Sequence, residues 1–156
     1  MLFLLFRLGN DRYALPAATI AQVMPLVTLK EIPHALAGVA GVFNYRGESV
    51  PAIDLSQLAL GRSATWSLTT RIVLVRYVDG RGAERKLGLI AECATEMLRC
   101  EASDFATTGV GGDAAPYLGP VTADGRGLIQ WIEVSRLLPA ALRDTLFNDI
   151  ALSVPG

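Results

Sequence analysis

Two stretches of this chain follow one template. Ile53-Asp54-Leu55-Ser56-Gln57-Leu58 is echoed by Ile132-Glu133-Val134-Ser135-Arg136-Leu137: a strand end, an acidic residue, an apolar residue, a serine and a short turn. Upstream the echo continues. Residues 41–55 resemble 119–134, Ile20-Ala21-Gln22-Val23-Met24 resembles Ala94-Thr95-Glu96-Met97-Leu98, and the opening residues resemble 72–90. Halves 1–62 and 70–139 therefore read as variants of one unit of roughly five short strands. A unit that small buries too little apolar surface to be stable alone. Two such units sharing a core satisfy the constraint, so the expectation is two small β-barrels with a groove at their junction.

Local signals agree with an all-β reading. Leu4-Leu5-Phe6-Arg7-Leu8 stops at the turn formers Gly9-Asn10-Asp11 and resumes as Arg12-Tyr13-Ala14-Leu15, a β-hairpin. Ile72-Val73-Leu74-Val75-Arg76-Tyr77-Val78 is the strongest strand, turned back by Asp79-Gly80-Arg81-Gly82 into Lys86-Leu87-Gly88-Leu89-Ile90. Further strands are expected at 49–53 and 128–132. Pro51, with no N–H to donate, points to an edge or a bulge for the first of these. Residues 55–60 and 134–138 read as single helical turns. After Pro139, Leu142, Leu146, Phe147 and Ile150 share one helical face, predicting a C-terminal helix over 140–150 laid against the barrels. Residues 107–115, rich in Gly and Ala, read as a loop. The expectation is one domain over 1–150, with 151–156 as a tail.

Composition excludes several functions. The formal charge is −1 and no basic run occurs, against the clustered positive face that nucleic acid or an anionic membrane surface demands. A small-barrel nucleic-acid binder remains the alternative to a protein-binding module. The N-terminal apolar run has no preceding positive charge and is ended by Arg7, unlike a signal peptide, and no stretch approaches a membrane span. Two cysteines, Cys93 and Cys100, are too few for a disulfide scaffold and read as buried thiols of a cytoplasmic protein.

Catalytic chemistry finds no footing, and the chain is read as a non-enzyme without cofactor or metal. His34 stands alone beside Pro33, short of any zinc set. Gly109-Val110-Gly111-Gly112-Asp113 lacks the Lys-Ser/Thr of a phosphate loop. Asp54 and Glu133 each open a helical turn, where a carboxylate caps free N–H groups. Binding is better represented. Asn44-Tyr45-Arg46-Gly47 is a tight turn, and its Asn and Gly are explained by turn geometry alone. Tyr45 and Arg46 are not. A guanidinium fork beside a flat ring with a polar tip suits a protein-recognition hot spot.

At this turn the sequence comes to resemble a known family. Gly38-Val39-Ala40-Gly41-Val42-Phe43-Asn44-Tyr45-Arg46-Gly47, continued by Val50-Pro51-Ala52-Ile53-Asp54-Leu55, resembles the signature of CheW-like coupling domains. Phe6-Arg7-Leu8-Gly9 with Arg12-Tyr13-Ala14-Leu15, the segment 20–24, Leu87-Gly88-Leu89-Ile90 and Tyr117-Leu118-Gly119 follow in the family's order, so the likeness runs from Leu4 to Leu138. The resemblance implies two SH3-like five-stranded barrels around a shared core. It also implies an adaptor joining the helical tip of a methyl-accepting chemoreceptor to the regulatory domain of a CheA-type histidine kinase. By that likeness Arg46 and Ile20 lie in or beside the receptor groove, with Gln22, Asn44, Tyr45 and Gly47 around them, and kinase contacts use other faces. Gln22 departs from the family pattern, which often carries an acid there. That departure suggests a pathway parallel to flagellar chemotaxis, such as the surface-sensing Wsp type. With no receiver or kinase domain alongside, the expectation is a free-standing adaptor.

Overall fold

The computed structural model describes residues 1–33, 35, 38–107 and 115–153, with side chains as far as Phe147. His34, the 109–113 glycine stretch and the side chain of Ile150 lie outside the described residues. Nine strands form the body: β1 Leu2–Leu8, β2 Asp11–Pro16, β3 Ile20–Pro25, β4 Val39–Tyr45, β5 Glu48–Asp54, β6 Arg71–Val78, β7 Glu84–Arg99, β8 Leu118–Asp124 and β9 Gly127–Ile132. Two α-helices, α1 Leu55–Leu60 and α2 Ala140–Ser153, and short 3-10 turns complete the described chain. α2 runs past the expected end at 150, so the first residues of the supposed tail are helical.

β7 is the spine. Residues 84–91 pair antiparallel with β6, while 92–99 pair with β1. The chain bends between these parts at Cys93, one of the non-glycine residues at positive φ (52°). One barrel comprises β8, β9, β2, β1 and the end of β7; the other comprises β4, β5, the start of β7, β6 and β3. The orders correspond strand for strand. Even the parallel pairing of β2 with β9 has its counterpart in that of β7 with β5. Lone bridges, Ala106 to Val121 and Lys30 to Val42, extend both barrels at the same point.

The barrels do not coincide with the two halves of the sequence. Residues 1–62 give hairpin β1–β2 to the first barrel and β3–β5 to the second; the later half does the reverse. Each hairpin is thereby buried on both faces. Leu4, Phe6 and Leu8 of β1 and Val73, Val75 and Tyr77 of β6 point into the shared core. Phe3 and Leu5 face the first barrel's own core, and Ile72 and Leu74 the second's. Two buried faces explain why these strands are continuously apolar rather than alternating. Each large side chain so buried contributes about 1.5–3 kcal/mol. α2 closes the shared core with Leu142, Leu146 and Phe147, and the Phe147 ring stacks on Tyr77 at 5.9 Å.

Three expectations are corrected. β5 is an inner strand, between β4 and β7. Pro51 is tolerated because it faces Val42, whose N–H and C=O are both taken by Lys30, and because the recorded β7 ladder starts only at Ala52. Asp54 does cap α1, accepting from Gln57 N at 3.2 Å, and its other oxygen accepts from Ala64 N at 2.9 Å. Glu133 makes no cap; its carboxylate turns to Arg136 at 3.5 Å instead. Cys93 is exposed rather than buried, because it sits on the bend of β7. Cys100 is half-buried, and desolvation pushes its thiol pKa up.

Candidate protein-interaction site

Tyr45 and Glu48 close β4 and β5 across a two-residue loop of Arg46 and Gly47. Both loop residues have positive φ, 52° and 84°, the mirror-image turn whose twist matches a hairpin. Asn44 Oδ1 accepts from Gly47 N at 2.9 Å and braces the loop. Glycine fits this geometry freely, whereas an L side chain at Arg46 is held against a cost of about 1 kcal/mol. Arg46 is exposed, and its guanidinium lies over the Tyr45 ring at 5.1 Å. No carboxylate meets Arg46 among the described residues.

β3 brings the remaining predicted residues. Tyr45 Oη donates to Gln22 Oε1 at 2.6 Å, so the neutral amide and the turn are joined directly. Ile20 is sent elsewhere. It pairs with Val75, Gln22 with Leu74, and the bulge between them separates residues that a regular strand would aim alike. Ile20 packs against the shared core at the junction of the barrels, and Tyr45 against the second barrel's core. Gln22, Asn44, Tyr45, Arg46 and Gly47 thus form one open face, with Ile20 at its margin. Cavities of about 620 Å3, between α1, Trp66 and the 28–40 segment, and of about 320 Å3, beside Arg12 and Cys93, are lined by other residues.

Reading the sequence missed two further groups. Arg76 of β6 donates from one nitrogen to the carbonyls of Ala18 and Ile20, at 3.2 and 3.1 Å. In the first barrel, buried Arg12 grips Asp124 with both terminal nitrogens, at 2.9 and 2.5 Å, and Gly127 O at 3.0 Å. Arg126 meanwhile pairs with Glu96 at 2.7 Å. The Arg12 hydrogen bonds, aided by the Arg126 backbone N–H, hold the Asp124 carboxyl well below the usual carboxylate range. Pairing with Arg126 likewise lowers Glu96. The similarity of segments 20–24 and 94–98 was the available signal, since it sets Glu96 in the place of Gln22.

Among the described residues no cluster of His, Cys, Asp and Glu is arranged to hold a metal, and no helix is long and apolar enough to cross a membrane. Asp54 has both oxygens committed to backbone N–H groups.

Comparison with known proteins places this geometry. FrzA of Myxococcus xanthus is 28% identical over 142 residues, covering 89% of this chain and 86% of FrzA. The chemotaxis protein CheW of Treponema pallidum is 25% identical over 148 residues, 92% of this chain and 85% of that protein. The crystal structure of the scaffolding protein TtCheW from Thermoanaerobacter tengcongensis superposes with a TM-score of 0.80 at 21% identity, over 93% of this chain and 92% of that one, and shares its fold. The model of the CheW-like domain matches residues 2–142, and the chain belongs to that family.

Proposed function

We propose that this protein is a non-enzymatic adaptor coupling a methyl-accepting chemoreceptor to a CheA-type histidine kinase, and that it receives the receptor's helical tip on the face of Gln22, Asn44, Tyr45, Arg46 and Gly47, with Ile20 at its edge. The observation that carries the reading is Arg46. An exposed guanidinium is kept on a strained position of a tight turn, oriented by a ring, and among the described residues it meets no carboxylate. Such a group is preorganised for an anion on a partner. Membership of the CheW-like family supports the partner class. Helix-on-face recognition explains how receptor state is transmitted without chemistry.

The face has a definite charge. Gln22 contributes none, while Arg46 contributes a positive group, so the partner helix carries an acidic residue there. A receptor chosen by this face differs from one chosen by an acidic residue at position 22, which favours a parallel array, such as the surface-sensing type, over the flagellar one.

The test is Arg46→Asp. The folded variant should lose about 2 kcal/mol or more of affinity for a soluble receptor hairpin, since it replaces attraction by repulsion at a hot spot. Undiminished receptor binding by a variant with unchanged circular dichroism overturns the assignment. Gln22→Glu should alter the order of preference across a panel of receptor hairpins. A flat response would remove the argument for a parallel array.

A further inference from the structure

The face just described depends on a strand that begins badly. β3 follows a 3-10 turn, Ala17–Thr19, and its ladder with β6 is broken by the bulge between Ile20 and Gln22. A bulge removes regular register restraint where it occurs. Arg76 spans that weak point. Its Nη1 donates to the carbonyl of Ala18, inside the 3-10 turn, and to that of Ile20, the first residue of β3. The two carbonyls are two residues apart and more than fifty residues from Arg76 in sequence. No carboxylate meets Arg76 among the described residues, so its ordered contacts there are to backbone.

The first barrel shows why the clamp is needed here. Arg7 stands on β1 where Arg76 stands on β6, facing a bulge in the corresponding ladder. There the facing strand is β7, whose bulge by Cys93 lies inside one long strand, Glu84–Arg99, with pairing to β1 on either side of it at Glu92 and Glu96. Among the described residues Arg7 makes no backbone clamp. The two arginines share a position and differ in what they do because one neighbouring strand is continuous and the other starts from a turn.

We propose that Arg76 is the positioning residue of the partner face: by holding the Ala18 and Ile20 carbonyls it fixes the bulge that sets Ile20 at the barrel junction and Gln22 beside Tyr45. This rests on the docking reading above. Without the clamp the start of β3 samples other registers. Affinity then falls by the fraction of time the face is correctly formed, about tenfold if that fraction is one tenth.

Arg76→Met keeps the aliphatic stem and removes the donors, and Arg76→Lys restores a charge with a single donating centre. Amide hydrogen exchange of residues 18–24 in the isolated protein should rise about tenfold in Arg76→Met, with the rest of β6 unchanged, and recover in part in Arg76→Lys. Binding of a soluble chemoreceptor hairpin should fall about tenfold in Arg76→Met, while binding of a kinase regulatory domain is retained. Unchanged exchange, or equal losses toward both partners, overturns the proposal. Failure of the unaltered protein to bind any receptor hairpin sinks the docking reading, and reduces Arg76 to a local clamp whatever the exchange shows.

Discussion

The two barrels carry corresponding turns and use them in opposite ways. At β8–β9, Asp124 is gripped by buried Arg12 and Arg126 is paired with Glu96. At β4–β5, Glu48 is paired with Lys86, but among the described residues Arg46 rests on the Tyr45 ring without a carboxylate, and Gln22 occupies the place of Glu96. Charge in the first turn is consumed internally and fixes the turn to β2. In the second it is left available, on a backbone conformation that no stability argument favours. The locked turn and the proposed docking face are thus variants of one motif, separated by where the carboxylates lie.

The barrel interiors differ too, and this contrast predicts the largest effect. The first is filled by an aromatic trio, with Trp131 5.0 Å from Phe3 and 5.1 Å from Phe105. The second has Ala52 where the first has Trp131, and Phe43 takes the space. Phe43 comes so close that a Cβ on Gly88 would lie 2.8 Å from its ring. Gly88→Val should therefore destabilise by about 3 kcal/mol through overpacking, read by urea unfolding. A loss below about 1 kcal/mol would mean that Phe43 swings aside easily and that the second barrel is looser than its counterpart.

Next in size is the lock on the first turn. Arg12→Met should lower Tm by about 5 °C, whereas Lys86→Met, at the corresponding position of the second barrel but exposed and singly bonded, should shift it by about 1 °C or less. The pH dependence has a fixed sign. Asp124 has a folded pKa below its unfolded one, so its contribution is full above the unfolded value, about 4, and is lost as pH falls. The gap in Tm between Arg12→Met and the unaltered protein should be open at pH 7 and narrow toward pH 3. A gap independent of pH would show that Arg12 acts by packing alone.

Much of this molecule was legible in its sequence because the informative signals are local. Gly9-Asn10-Asp11 declares a hairpin, Asp54 a cap, and Asn44 with Gly47 a turn. The repeat was visible as well, but the exchange of hairpins between barrels was not. Periodicity tells a strand that both its faces are buried, as in β1, without saying which chain segment covers each face. The same limit hid the site's supports. Arg12 and Asp124 are 112 residues apart, and Arg76 lies 56 from Ile20, so neither pairing leaves a mark at short range. Ile20 and Gln22 were expected near one another from the family likeness, and the bulge between them, which no local signal announces, turns Ile20 toward the shared core.

The strained turn predicts an effect of the opposite sign. Arg46→Gly removes the Cβ from a left-handed position and should stabilise the protein by up to about 1 kcal/mol, less the entropy that glycine adds to the unfolded chain. Receptor binding should fall at the same time. Stability and binding moving in opposite directions would mark this turn as retained for a partner. If both fell, Arg46 would belong with the structural arginines of the first barrel.

The smallest effect separates the turns most sharply. Tyr45→Phe removes the hydroxyl that donates to Gln22 and keeps the ring beneath Arg46. The bond is exposed, so its loss should lower stability by only about 0.5 kcal/mol. Its effect on docking depends on which form of Gln22 the partner meets. If the receptor helix uses the amide itself, Tyr45→Phe frees it and binding strengthens; if the Gln22–Tyr45 pair acts as a preformed unit, binding weakens. Glu96→Gln, the matching change in the first barrel, loosens Arg126 without touching the proposed docking face and should leave receptor affinity where it was. Titration calorimetry of both variants against one receptor hairpin distinguishes the turns by function, and equal responses would mean that their different charge pairing has no bearing on partner choice.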